Sequence, residues 1–274
     1  MALMHPSLKH LTKDARHLQI FVLGSLLLFG VSANQWEIPG IQIILVFAAG
    51  LSSQWFASRI VAIDFEWRSA AISCLSILLL LRSQAILLVI LAAVLAVSSK
   101  FLLRINNRHI FNPTNCAIVL LLASGAEVWV SPGQWGRGLV FLMLVALAGT
   151  MILGRVKSSL VTGSFIITHI TSHLCRTVYL GETYDLFIFH SISGSLLIFA
   201  FLMISDPMTV PTSKYGQVAF GTGIALLGFS LLYYFYLPEA YFWALFCGNT
   251  ALMIAKLISR PSWRHSKFLK ETMG

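Results

Sequence analysis

Residues 193–209, Ser-Gly-Ser-Leu-Leu-Ile-Phe-Ala-Phe-Leu-Met-Ile-Ser-Asp-Pro-Met-Thr, contain the acid best placed to do chemistry. Small residues open an apolar run that stops at Asp206-Pro207, ahead of a polar, proline-containing turn. Pro207 has no backbone N–H and turns the residues before it away from helical geometry. Asp206 is therefore expected at a helix end, beside freed backbone groups, where a charge is costly near hydrocarbon. Such a carboxylate can carry charge or coordinate a cation, because hard cations prefer oxygen ligands. An ordinary aspartate capping a loop is the plain alternative. Thr209 closes the same motif.

Two more polar constellations stand out. Arg104-Ile-Asn-Asn-Arg-His-Ile-Phe-Asn-Pro-Thr-Asn115 leads into an apolar stretch. Within it, Asn112-Pro113-Thr114 reads as a helix start, a capping residue followed by proline at the first helical position. The free N–H groups and positive dipole end of such a helix suit an anion or an electron-rich ring. The second constellation is His169, His173, Arg176 and His190. His169 and His173 share a helix face, and Arg176 continues the stripe. His190, opening the next helix, can approach them across a hairpin. Haem ligation, proton transfer or anion binding could use these groups; interhelical hydrogen bonding is the plainer use.

The elements that must position these residues are membrane helices. Hydrophobic residues make up 57% of the 274 and charged ones only 11%, with a mean hydropathy of +0.82. A soluble domain has about a quarter charged residues. Ten apolar segments are marked, at roughly 18–33, 38–58, 69–81, 85–99, 115–126, 138–153, 160–180, 186–204, 217–236 and 240–258. Several, 69–81 and 115–126 above all, are shorter than the ~20 residues of a simple span. Short or broken helices need cover from protein or a water-filled cavity, and they often line binding sites. The expected organisation is an N-terminal cytoplasmic segment 1–17, a transmembrane domain 18–258 and a basic cytoplasmic tail 259–274.

With the N-terminus inside, 16 of the 19 Lys and Arg residues fall on the cytoplasmic side, while the acids divide evenly. That bias predicts a multi-pass protein of the plasma (inner) membrane with both termini cytoplasmic. The +9 net charge then needs no nucleic-acid partner, and the basic tail reads as an anchor to anionic lipid in the bilayer. The opening MALMHPSLKHLTKDARH shows no small-residue cleavage site, so no removed signal peptide is expected. The four cysteines form no CxxC or CxxCH pattern and read as small buried hydrophobes. Neither a nucleotide-binding loop nor a zinc motif is visible, and no metal site is expected.

The stretch 190–214, with SGS, SDPMT and VPTSKYG, resembles the SGAT…ATDPVT…NKG region of the RnfD component of the Rnf complex and the NqrB component of the Nqr complex. HIFNPTN at 109–115 resembles the FNPA element of the same family. The resemblance covers about 100–258. Residues 12–30, TKDARHLQIFVLGSLLLFG, look closest to short relatives labelled enediyne biosynthesis protein UnbU. It implies an all-α bundle of about ten spans with a 5+5 inverted repeat, as in ammonium and urea channels. It also implies a flavin-carrying subunit that helps couple electron flow to sodium movement. Family members hold flavin mononucleotide (FMN) covalently through the Thr of an SGAT motif in an outer region. Here the nearest match is Ser124-Gly125-Ala126-Glu127. Glu127 has no hydroxyl to form a phosphoester, so no covalent FMN is expected there.

The function expected is therefore a membrane subunit handling a noncovalent flavin (riboflavin or FMN) or a quinone and coupling electron transfer to ion movement. It would work with redox partner subunits or as a homo-oligomer, and it has no self-contained catalytic motif. A channel or transporter for a small polar or flavin-like molecule is the alternative. The cofactor-binding candidates are Asn112, Pro113, Thr114, Asp206, Pro207, Thr209, His169, His173, Arg176 and His190.

Overall fold

The computed structural model describes residues 15–32, 36–105, 108–130, 149, 159–191 and 193–258. The apolar segment expected at 138–153 apart from residue 149, nearly all of segment 1–17 and the tail at 259–274 lie outside the described residues. Among the described residues the chain forms α1 (Ala15–Ser32), α2 (Gly40–Ile60), α3 (Trp67–Leu80), α4 (Ile86–Leu102) and α5 (Pro113–Ala123). Then follow α6 (Ser159–Leu180), α7 (Tyr184–Ser191), α8 (Gly194–Ile198), α9 (Lys214–Tyr234) and α10 (Ala240–Ile258). Two short antiparallel pairings accompany them: β1 (Leu81–Arg82) with β4 (Trp129–Val130), and β2 (Arg104–Ile105) with β3 (Arg108–His109).

Local sequence explains the boundaries. Asn112 caps α5, its side chain accepting the Asn115 N–H at 3.1 Å, and Pro113 occupies the first turn where no N–H is needed. Ser213 caps α9 in the same way through Gly216 N. At the end of α5, Gly125 takes φ +72°, while Ala126 N bonds to Leu121 O and Gly125 N to Leu122 O. That is a Schellman end, which favours glycine at the left-handed position. α2 ends the same way with Ala62 at φ +53°.

Three helices, α2, α9 and α10, are long and apolar enough to cross a membrane by length and composition. α1, α3, α4, α5 and the 194–203 stretch are apolar but shorter, so about ten full spans is more than the described residues support. One expected span is also corrected. The segment 186–204 is not one helix: α7 ends at Ser191, Ser193 caps α8 by accepting the Leu196 N–H at 3.2 Å, and α8 passes into a π-helical turn at Phe199–Met203. The Ser-Gly-Ser stretch supplies the cap and the break. Widened helical turns of this type gather at functional sites.

Three of the short pieces form the interior. Residues 73–80 of α3, most of α5 and Ile198–Ser205 are buried. Around them stand α1, α2, α4, α6, α9 and α10, whose outer faces expose Phe21, Ile44, Phe56, Leu87 and Ile167. Apolar faces outward and broken helices inward are what a bilayer solvent demands. α2 packs against α4 and α6 against α9, while α4 meets α5 and α9 meets α10. Exposed aromatics gather at helix ends, with Trp55, Phe56, Phe65, Trp67 and Tyr215 near one set and Tyr179, Tyr184, Tyr234, Phe235 and Tyr236 near the other. Membrane–water interfaces favour that placement.

Candidate functional site

The two proline motifs, ninety residues apart in sequence, meet. The Asn112 side-chain amide reaches the Met203 carbonyl at 3.5 Å, the last residue of the π turn. Asp206 follows, and Pro207 keeps the chain from re-entering a helix. Its Oδ1 accepts the Met208 N–H at 3.0 Å, and its backbone carbonyl accepts both the N–H and the hydroxyl of Thr209. Its Oδ2 lies 3.0 Å from His109 Nε2. Both side chains are under a fifth exposed, so the pair is sheltered from solvent screening. The β2–β3 pairing sets His109 opposite Arg104 and delivers its ring to Asp206.

A cavity of about 280 Å³ opens on this junction. Asn112, Pro113, Thr114, Asp206 and Pro207 line one part of it. Ser69, Ser73 and Ser76 of α3 and Lys100 of α4 line another, with Arg16 and Gln19 of α1. The Lys100 ammonium donates to the Ser69 carbonyl at 2.6 Å and to Ser69 Oγ at 2.9 Å. Glu66, in the loop before α3, pairs with Arg16 at 2.9 Å and with Arg68 at 2.6 Å, fastening the start of α1 beside the cavity. The Arg68 hydrogen bonds hold the Glu66 carboxyl below the usual carboxylate range, with burial opposing and Arg16 assisting.

Thr209 faces elsewhere. It lines a separate, water-sized space of about 10 Å³ with His109 and Asn249. Asn249 is 1% exposed, and neither of its amide atoms finds a hydrogen-bond partner.

The histidines form a second centre, apart from the cavity. His169 Nδ1 lies 2.6 Å from the Tyr241 hydroxyl and Nε2 lies 3.1 Å from the Ser191 carbonyl. The network assigns the tautomer: Nε2–H donates to the carbonyl freed where α7 ends, and Nδ1 accepts from tyrosine. The His173 ring stands 4.4 Å from that of His169 and its Nδ1 is 3.2 Å from the Tyr233 hydroxyl. Arg176 lies over the Tyr233 ring at 4.1 Å and donates to Glu182 at 2.6 Å. These contacts tie α6 to α9, α10 and the break after α7. His190 belongs to α7, and its side chain lies outside the described residues. Among the described residues no three His, Cys, Asp or Glu side chains gather as metal ligands.

Sequence reasoning passed over His109, Lys100 and the α3 serines. The serines left a signal: positions 69, 73 and 76 share one face of an otherwise apolar helix. Lys100, at the end of an apolar run, and His109, inside HIFNPTN, gave none of comparable strength.

The model of the NQR2, RnfD, RnfE family matches residues 126–262, half of the chain. The chain belongs to this family. The match includes Asp206, Pro207 and the histidine centre, and it begins after Asn112–Thr114. Curated relatives are the D components of ion-translocating oxidoreductase complexes. Those of Shewanella loihica and Shewanella frigidimarina are 26% identical over 122 residues and 24% identical over 150. These stretches cover 42% and 54% of this chain and 33% and 43% of the relatives. That of Ectopseudomonas mendocina is 30% identical over 81 residues, 29% of this chain and 24% of its own. The matched part thus spans under half the length of these relatives.

Proposed function

We propose that this family member is a membrane electron-transport subunit whose functional centre is the cavity between Asn112–Thr114 and Asp206–Pro207. One observation carries the reading: two motifs, each built to break or start a helix, converge on one sheltered space beside a His–Asp pair. At about 280 Å³ the space sits near the ~300 Å³ lower end of small-molecule sites, and it suits a ring or head group better than a whole nucleotide. A noncovalent flavin or a quinone, reaching in from between helices, is the ligand class that agrees with the family. Glu127 carries no covalent FMN, because a carboxylate cannot supply the ester oxygen of a hydroxyl. Asp206, beside His109, supplies the charge that a passing cation balances, and this couples ion movement to the redox state.

The reading includes partner subunits that bring soluble redox centres, an inner-membrane location and cytoplasmic termini. It also includes about ten spans in a 5+5 inverted repeat. The pairing of α2 with α4 across α3 and of α6 with α9 across the broken α7–α8 stretch supports the repeat. Within the family we place the chain nearest the short UnbU-like relatives.

The test is the absorption spectrum of gently solubilised protein, with released small molecules identified by mass spectrometry. About one flavin or quinone per chain is expected. A colourless, ligand-free protein refutes the redox reading and favours passage of a substrate past the broken helices. In reconstituted complex, Asp206→Asn is expected to abolish ion coupling while leaving expression intact; unchanged coupling removes Asp206 from the centre.

A further inference from the structure

Lys100 brings to the cavity a charge that Asp206, in the same lining, offsets only through space. Its ammonium has three donors, and the oxygens it bonds are two neutral ones of Ser69. Among the described residues no carboxylate forms an ion pair with it. The neighbouring charged groups have closer contacts: Arg16 pairs with Glu66, and Asp206 accepts the Met208 N–H and lies 3.0 Å from His109 Nε2. A sheltered cation beside open space calls for an anion, because the cost of desolvating it is recovered through a charged partner.

The facing wall has the same polarity. α5 begins at the cavity with its positive dipole end. Asn112 covers the Asn115 N–H and Pro113 has none, which leaves the Thr114 N–H as the donor of the first turn. Asn112, Pro113 and Thr114 all line the space. Ser73 and Ser76 add hydroxyls from α3. Asp206 keeps its negative charge at the cavity, but its carboxylate oxygens are directed to His109 and the Met208 N–H, while Lys100, the start of α5 and the α3 hydroxyls supply the donors.

We propose that the cavity binds an oxyanion, the phosphate or carboxylate group of a ligand, between Lys100 and the first turn of α5. The proposal deepens the reading of the same cavity and rests on its being a ligand site. Binding of a colourless anion needs no redox signal, so the two fail separately. The oxyanion belongs either to a soluble molecule or to a lipid head group.

The test uses the delipidated full chain in dodecyl maltoside, which carries no phosphate. Its unfolding midpoint is followed against inorganic phosphate or succinate, with chloride as the control at fixed ionic strength. A saturable rise with phosphate or succinate is expected, about tenfold weaker in Lys100→Gln and largely retained in Lys100→Arg. Should Lys100→Gln fail to fold, amine-specific labelling of Lys100 in the unaltered chain replaces it, and the anion is expected to protect that residue. Equal response in wild type and Lys100→Gln, a response no different from chloride, or no protection of Lys100 overturns the proposal. Added phosphatidylglycerol separates the sources. If it displaces the phosphate effect and is retained in native mass spectra by wild type but not Lys100→Gln, the oxyanion is a head group. If it leaves the titration unchanged, the ligand is soluble.

Discussion

α6 and α9 approach each other closely at Gly221, and the consequence can be worked through. A Cβ placed there overlaps the Val161 carbonyl oxygen and Ser164 Oγ and stands 3.1 Å from Phe165 N. Two of these three atoms are backbone, so no rotamer change relieves the overlap and the helices must separate. Two residues along the same helix, a Cβ on Gly223 meets nothing within 4 Å. Replacing glycine by alanine inside a helix gains ~0.5–1 kcal/mol, whereas overpacking a tight contact costs ~1–3 kcal/mol. Gly223→Ala is therefore expected to stabilise by up to ~1 kcal/mol. Gly221→Ala should destabilise by about 1–2 kcal/mol net. The effect reaches the site, because Thr162 next to Val161 donates to the Ala200 carbonyl at 2.8 Å and so holds the π turn that leads to Asp206. Reversible unfolding in mixed micelles, followed by helical circular dichroism, reads both variants. If Gly221→Ala proves as stable as Gly223→Ala, the close approach of α6 and α9 is wrong.

Two further outcomes follow from the same contacts. Tyr241→Phe removes the hydroxyl that serves His169 Nδ1 and leaves a buried ring nitrogen unsatisfied, at a cost of ~1–3 kcal/mol in the same unfolding assay; an unchanged stability would show that this bond does not hold α10 to α6. Glu66, whose folded pKa lies below its ordinary value of 4.5, stabilises the α1 tether fully above that value and loses the contribution as pH falls through the folded pKa. Thermal midpoints measured from pH 7 downwards should therefore drop more steeply below about pH 4.5 for wild type than for Glu66→Gln, and parallel curves would contradict the tether.

How much of this was legible beforehand depended on the range of the signal. The Asn112-Pro113-Thr114 helix start was readable because capping is a matter of three adjacent residues, and the structure shows that cap bond directly. The stop at Asp206-Pro207 was equally local. The break inside 186–204 was not read, although Ser193-Gly194-Ser195 offered a cap; the surrounding run is apolar throughout, and hydropathy does not register a change of direction. His109 was passed over because its importance lies in a partner 97 residues away.

The amino-acid order alone determined that the chain is built for a bilayer, that helices start and stop at local signals such as Asn112-Pro113 and Asp206-Pro207, and which residues are polar inside apolar runs. Each follows from composition or from interactions within a few residues. The tertiary structure decided which of those polar residues share a space. It brought Asp206, His109, Asn112 and Lys100 around one cavity and sent His169 and His173 to tyrosines on α10 and α9. The physical reason is that short, broken helices must be covered by other helices, and only the packing of those covers sets which side chains face one another.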